Sequence, residues 1–228
     1  MVLTNNLCRG IKMRQFVFFC LAFVVLIGMF ILPPKTRAGG MQVQEVKIAI
    51  TGTAETEAAF FPAKSDRAVV LAPGAMFSKE SWYFLAERFQ KRGNSSLALN
   101  SGSTPDLLNG IAYLQNRGVE NIAIVGASAG GAGVLLTLEE QKIDPRVDTV
   151  ILLAPAGGEP LKSKTIRKLF IVSEDDMISS SAEVYNLYDA SADPKVYKEL
   201  KGSDHAQRLF DSDQKETVVQ LILNFIEQ

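Results

Sequence analysis

Three residue types in this sequence stand in the order that acyl transfer needs. Ser128 lies in Gly126-Ala127-Ser128-Ala129-Gly130, a G-x-S-x-G pattern. His205 is the only histidine of the chain. Between them, Asp175 and Asp176 follow the apolar run "KLFIVS". A serine hydroxyl attacks well only when a base removes its proton, and the base works best when an acid holds its tautomer.

The serine stretch, "NIAIVGASAGGAG", has two other readings. Glycine-rich turns also cradle phosphates. This one lacks G-x-x-x-x-G-K-[ST], and Ser128 stands where a dinucleotide fingerprint has its second glycine. The next strand, "VDTVILLAP", ends without an acid for a ribose. A tight strand-to-helix turn with no chemistry is the remaining alternative.

The elements around these residues must bring them to one place. From Val43 on, strand-like and helix-like patterns alternate. "VQEVKIAI" and "ETEAAFFPA" flank Gly52 and read as an antiparallel pair. "AVVLAPG", "SSLALN", "NIAIVG", "VDTVILLAP", "KLFIVS" and "KVYKEL" read as further strands. Helical spacing marks "KESWYFLAERFQKRG", "GGAGVLLTLEEQ", "SAEVYNLYDAS" and "QKETVVQLILNFIE". In "TPDLLNGIAYLQNRG", Thr104 is the expected N-cap and Pro105 the first helical residue. Such alternation implies an α/β fold: a mostly parallel sheet with helices on both faces. Sites in these sheets form at the carboxyl ends of strands. Ser128, the aspartate pair and His205 each follow a strand.

The elbow "GASAGG", the turn "VVLAPGAMFS", the strand-plus-acid "LFIVSEDD" and "GSDH" together resemble the α/β-hydrolase superfamily. The likeness is to its small, lid-poor esterases and dienelactone-hydrolase-like members, and it covers the body from about Val43 onward. It implies Ser128 as nucleophile and His205 as base. Asp176, three residues past Ser173 at the strand end, is implied as the acid, with Asp175 as fallback; Asp204, next to His205 in a loop, is a poor choice. It also implies an oxyanion hole built from the backbone N–H of Ala129 and that of Ala75 or Met76. Two positions depart from the family pattern. Pro73 stands where a His-Gly turn is usual, which removes a common loop anchor, and "NSGSTPD" replaces the usual segment after "SLALN". Only "AGGEPLKSKTIR" follows "VILLAP", too short for a helical cap. An open cleft suits small acyl groups, and Met76, Phe77 and Trp82 are candidate pocket residues.

Composition bounds the rest. The 228 residues carry a net charge of −1, which gives no reason to expect nucleic acid. Before Gly39 stand five basic residues and no acidic one. Removing those five from the 24 basic residues leaves 19 against 25 acidic, a net of −6 for the body. The basic N-terminus leads into an uncharged apolar run, Phe16 to Leu32, closed by Pro33 and Pro34. Residues 1–38 therefore read as a signal peptide or membrane anchor, with "TRA" before Gly39 as a cleavage site and residues 39–228 as the hydrolase domain. That places the body outside the cytoplasm. Both cysteines, Cys8 and Cys20, fall in the leader, so the body has no disulfide of its own.

The expectation is a serine hydrolase acting on small carboxylic esters, with no metal and no cofactor. The same residues would serve a thioesterase, acyltransferase or amidase. A non-catalytic binding protein of the same fold is the alternative from another class.

Overall fold

Apolar runs with little polar interruption form strands that are buried on both faces. The computed structural model describes residues 35–36, 42–49, 54–140 and 145–228. Its strands are β1 (Lys35–Thr36), β2 (Gln42–Ile48), β3 (Thr56–Phe61), β4 (Arg67–Ala72), β5 (Ser95–Leu99), β6 (Asn121–Ala127), β7 (Val147–Leu153), β8 (Arg167–Ser173) and β9 (Lys195–Leu200). Its α-helices are α1 (Tyr83–Lys91), α2 (Thr104–Gln115), α3 (Ala129–Glu140), α4 (Ser181–Ala190) and α5 (Lys215–Glu227).

The strands form a sheet in the order β1-β2-β3-β5-β4-β6-β7-β8-β9. β1–β2, β2–β3 and β3–β5 pair antiparallel. From β5 through β4, β6, β7 and β8 to β9 every pairing is parallel. The interior strands are almost wholly buried, whereas β9 at the edge alternates between half-buried and exposed.

Helices cover both faces, and two neighbouring phenylalanines show it. Successive strand residues point to opposite faces. Phe60 meets Tyr113 of α2 edge-on, while Phe61 meets Tyr83 of α1. Helix α5 lies with α1, joined by Arg88–Glu216 and Arg92–Glu227 ion pairs. Helix α3 lies with α2, where the Thr137 hydroxyl donates to Thr104 Oγ1 at 3.0 Å.

Some local details differ from the sequence reading. A 3₁₀ turn, Lys79–Trp82, precedes α1 in place of one continuous helix. The N-cap of α2 is Ser103, not Thr104. Ser103 Oγ accepts from Asp106 N–H, while Thr104 is already helical and its hydroxyl is turned to Thr137. Lys35 and Thr36 of β1 pair with Val43 and Gln42 of β2. The Phe16–Leu32 run, Ala38 and Gly39 lie outside the described residues. Among the described residues, no helix is long and apolar enough to cross a membrane.

One buried charge closes the lower edge of the sheet. Lys168, near the start of β8, is fully buried, and burial lowers its pKa from the ordinary lysine value. Its Nζ donates to the carbonyls of Ser163, Ile166 and Ala192 at 2.6, 2.8 and 2.8 Å. Each ammonium proton thus has an acceptor. Lys168→Met removes the charge but strands three carbonyls, that of Ile166 in a buried contact. Unsatisfied buried acceptors cost roughly 1–3 kcal/mol each, offset in part by the apolar side chain. We expect a net loss of about 2 kcal/mol or more, read by urea unfolding.

Candidate active site

Strand register sets the site. Ala72 pairs with Gly126, Ala127 with Leu153, and Ser173 with Leu200. The carboxyl ends of β4, β6 and β7 are therefore level to within a residue, and β8 and β9 run two residues further, since Leu153 pairs with Ile171. Ser128 follows β6 directly. Asp176 comes three residues after β8, and His205 five residues after β9.

Ser128 holds a backbone that side chains avoid. Its φ is 48°, in the left-handed region, which costs about 1–3 kcal/mol for a residue that is not glycine. Three hydrogen bonds impose it. Ser128 N–H donates to Leu153 O at 2.9 Å, and its carbonyl accepts from Ala132 N at 3.0 Å and Ala156 N at 3.1 Å. Ala154 (φ 41°) and Ala206 (φ 49°) are likewise left-handed, beside β7 and beside His205. All the non-glycine residues with positive φ among those described thus flank this one edge of the sheet.

The small residues around Ser128 have a packing cause. A Cβ on Gly126 would come 2.8 Å from Gly131 Cα. One on Gly130 would run into the carbonyl of Pro73 and come 2.5 Å from the Ala72 carbonyl oxygen. One on Gly133 would land on the Gly102 carbonyl oxygen. The loops after β4 and β5 therefore press backbone to backbone on the start of α3. The segment "NSGS" carries this contact through Gly102.

The three candidate residues meet in one line. His205 Nε2 lies 2.8 Å from Ser128 Oγ. His205 Nδ1 lies 2.8 Å from Asp176 Oδ2 and 3.1 Å from Oδ1. An ionised carboxylate only accepts, so Nδ1 carries the proton and Nε2 is left to accept from the serine hydroxyl. The Asp176 side chain has no solvent exposure. Its Oδ1 also accepts from the backbone N–H of Ile178 and Ser179, at 2.9 and 3.0 Å. Those bonds fix the carboxylate and satisfy its charge in a dry place. Asp175 is exposed, and its N–H donates to Gly202 O. Asp204 contributes its carbonyl, which accepts from Ser173 Oγ at 2.6 Å and ties the end of β8 to the histidine loop.

Ala75 and Met76 occupy the middle of a β-turn closed by Phe77 N–H to Gly74 O at 3.0 Å. A Cβ on Gly74 would come 3.2 Å from Ser128 Cβ, so this turn adjoins the serine. Ala129 is exposed at the first turn of α3, where the helix dipole favours negative charge. Sequence reasoning missed Gln207. Its Oε1 accepts from Gly74 N–H at 2.7 Å, and only its place two residues after His205 could have drawn notice.

Neither a family model nor a curated protein sequence matches this chain. Solved structures do. A dienelactone hydrolase from Anabaena variabilis superposes with a TM-score of 0.69 at 17% identity, over 82% of this chain and 97% of its own. An esterase from Exiguobacterium antarcticum gives 0.65 at 10% identity, over 81% and 100%. A monoacylglycerol lipase from Paleococcus ferrophilus gives 0.63 at 15% identity, over 76% and 98%. The chain has the α/β-hydrolase fold.

On this α/β-hydrolase fold the segment from Ala154 to Ile166 carries no helix, so no cap covers the site there. A cavity of about 380 Å³ opens beside the loop whose amides hold Asp176, and neither Ser128 nor His205 lines it. Its walls are Pro155–Gly158 after β7, Ile178 and Ser179 after β8, and Glu183, Val184 and Leu187 of α4. None of the residues expected to line a pocket is among these. Trp82 is fully buried against Phe210, and Met76 is 89% exposed. Among the described residues no cluster of His, Cys, Asp and Glu has the makings of a metal site.

The contact between α3 and the loop after β5 leaves no room for a methyl group at residue 133. Gly133→Ala should lose about 2 kcal/mol, within the usual 1–3 kcal/mol for overpacking. Thermal unfolding checks this; an unchanged midpoint would mean that the close approach is not what keeps the residue small.

Proposed function

We propose that the chain is a serine hydrolase that cleaves small carboxylic esters through an acyl-enzyme on Ser128. The observation that carries this reading is the continuous hydrogen-bonded line from Ser128 Oγ through His205 to the buried Asp176 carboxylate. His205 Nε2 takes the hydroxyl proton as Oγ attacks the acyl carbonyl. The N–H of Ala129 and that of Ala75 or Met76 receive the oxyanion. His205 then gives its proton to the departing alkoxide, and the C–O bond of the ester breaks. Water, deprotonated by the same nitrogen, attacks the acyl-enzyme and frees the acid and Ser128. Asp176 keeps the imidazole in the required tautomer throughout.

The names of the similar structures support ester cleavage: a dienelactone hydrolase, an esterase and a monoacylglycerol lipase. The absence of a helix between Ala154 and Ile166 leaves the site open, which favours a short acyl or alcohol group over a long buried chain. The apolar run Phe16–Leu32 behind basic residues supports export, with residues 1–38 as signal or anchor. N-terminal sequencing of the mature protein should begin at Gly39 if Ala38 is the cleavage point.

A fluorophosphonate probe tests the reading. It should label the wild type and fail on Ser128→Ala and on His205→Ala. Asp176→Asn, which keeps the shape but offers Nδ1–H a poorer partner, should lower kcat on the order of 10³- to 10⁴-fold. A folded wild type that the probe does not label would sink the proposal and favour a binding protein built on the same fold.

A further inference from the structure

The turn that carries the Ala75 and Met76 amides is flanked by the close approach of Pro73 to α3 on one side and by the Arg208 guanidinium, 5.3 Å from the Phe77 ring, on the other. Met76 is 89% exposed, and Ala75 is also exposed. Pro73 offers the turn no side-chain hydrogen bond. Its inner end is held by one side chain, Gln207, which is 3% exposed. Gln207 Oε1 accepts from Gly74 N–H at 2.7 Å, and its Nε2 donates to Ser81 Oγ at 2.6 Å. The Ser81 hydroxyl proton is already committed to Ser78 O at 2.6 Å. Ser81 Oγ can therefore only accept, which fixes the amide the right way round. One glutamine thus bridges both ends of the segment from Gly74 to Ser81.

We propose that Gln207 is the positioning residue of the oxyanion-binding turn. The proposal rests on acyl transfer at Ser128. Of the four amides in the turn, Gly74 N–H is taken by Gln207 and Phe77 N–H by Gly74 O. Ala75 and Met76 N–H have no partner within the described residues, so they are the ones left for a developing oxyanion. Gln207 sits two residues beyond His205, on the 3₁₀ turn, Ala206–Asp211, that His205 precedes as N-cap. The base and the oxyanion donor are therefore registered to each other by one short segment. Gln207 carries no charge and does not titrate, so the grip on Gly74 holds at every pH where the fold does.

The test compares wild type, Gln207→Met and Ser81→Ala with p-nitrophenyl acetate and a neutral fluorophosphonate. Methionine keeps the volume and loses both hydrogen bonds. We expect Gln207→Met to lower kcat roughly 10- to 100-fold, as a misplaced oxyanion donor does, with KM within about twofold. Phosphonylation should slow in parallel, and the pH limb of kcat should stay where it is in the wild type. Ser81→Ala frees only the far end of the glutamine and should lower kcat several-fold. A folded Gln207→Met with kcat within about twofold of wild type overturns the proposal. So does a loss accompanied by a moved pH limb, which would put the damage on His205. If Gln207→Met does not fold, wild-type kcat in Ser81→Ala overturns it. A wild type that neither labels nor turns over would instead defeat the acyl-transfer reading itself.

Discussion

The bonds that pin Ser128 join two strands and a helix at one point. Its N–H reaches the end of β7, and its carbonyl is shared between α3 and the loop after β7. A left-handed serine is unfavourable by itself and persists only where its surroundings over-determine it. Here they do, because β6 and β7 are parallel neighbours whose ends are level. The strained turn lifts the hydroxyl off the sheet toward the loops that follow β8 and β9. Without the shared register there would be nothing for that hydroxyl to meet.

The rest of the edge is arranged around that turn by contacts between backbones. Gly130 and Gly133 let the loops after β4 and β5 close on the start of α3. Ser173 Oγ, bonded to Asp204 O, draws the end of β8 and the histidine loop together. Asp176 is then held by two amides of its own loop and by His205. Each of these is a short polar bond or a close approach in a buried place, where a missing partner is expensive and a displaced one moves its neighbour. On the open side, where no helix follows β7, the packing leaves a cavity between that loop and α4.

Much of this was legible from residue types and order. Alternating apolar runs and helical patterns implied the parallel sheet, since a strand covered on both faces needs no polar side. The Ser, acid and His order, each after a strand, implied a common edge. Other points were not legible. Thr104 has the type of an N-cap, but Ser103 takes the role because its hydroxyl reaches Asp106 N–H while Thr104 turns to another helix. Trp82 has the bulk of a pocket wall, but it packs inward on Phe210, far along the chain.

By itself the sequence determined the elements, their alternation and the chemistry available at their ends, because periodicity and turn residues act over a few positions. The tertiary structure decided which of those groups meet. The resemblance put Asp176 before Asp175 by spacing alone, and it is the fold that buries Asp176 against His205 while leaving Asp175 to solvent. Gln207 is an ordinary polar residue in the sequence; its meaning comes from Gly74, 133 positions earlier. Such pairings depend on strand register and loop closure, which join residues distant in the chain and leave no local pattern to read.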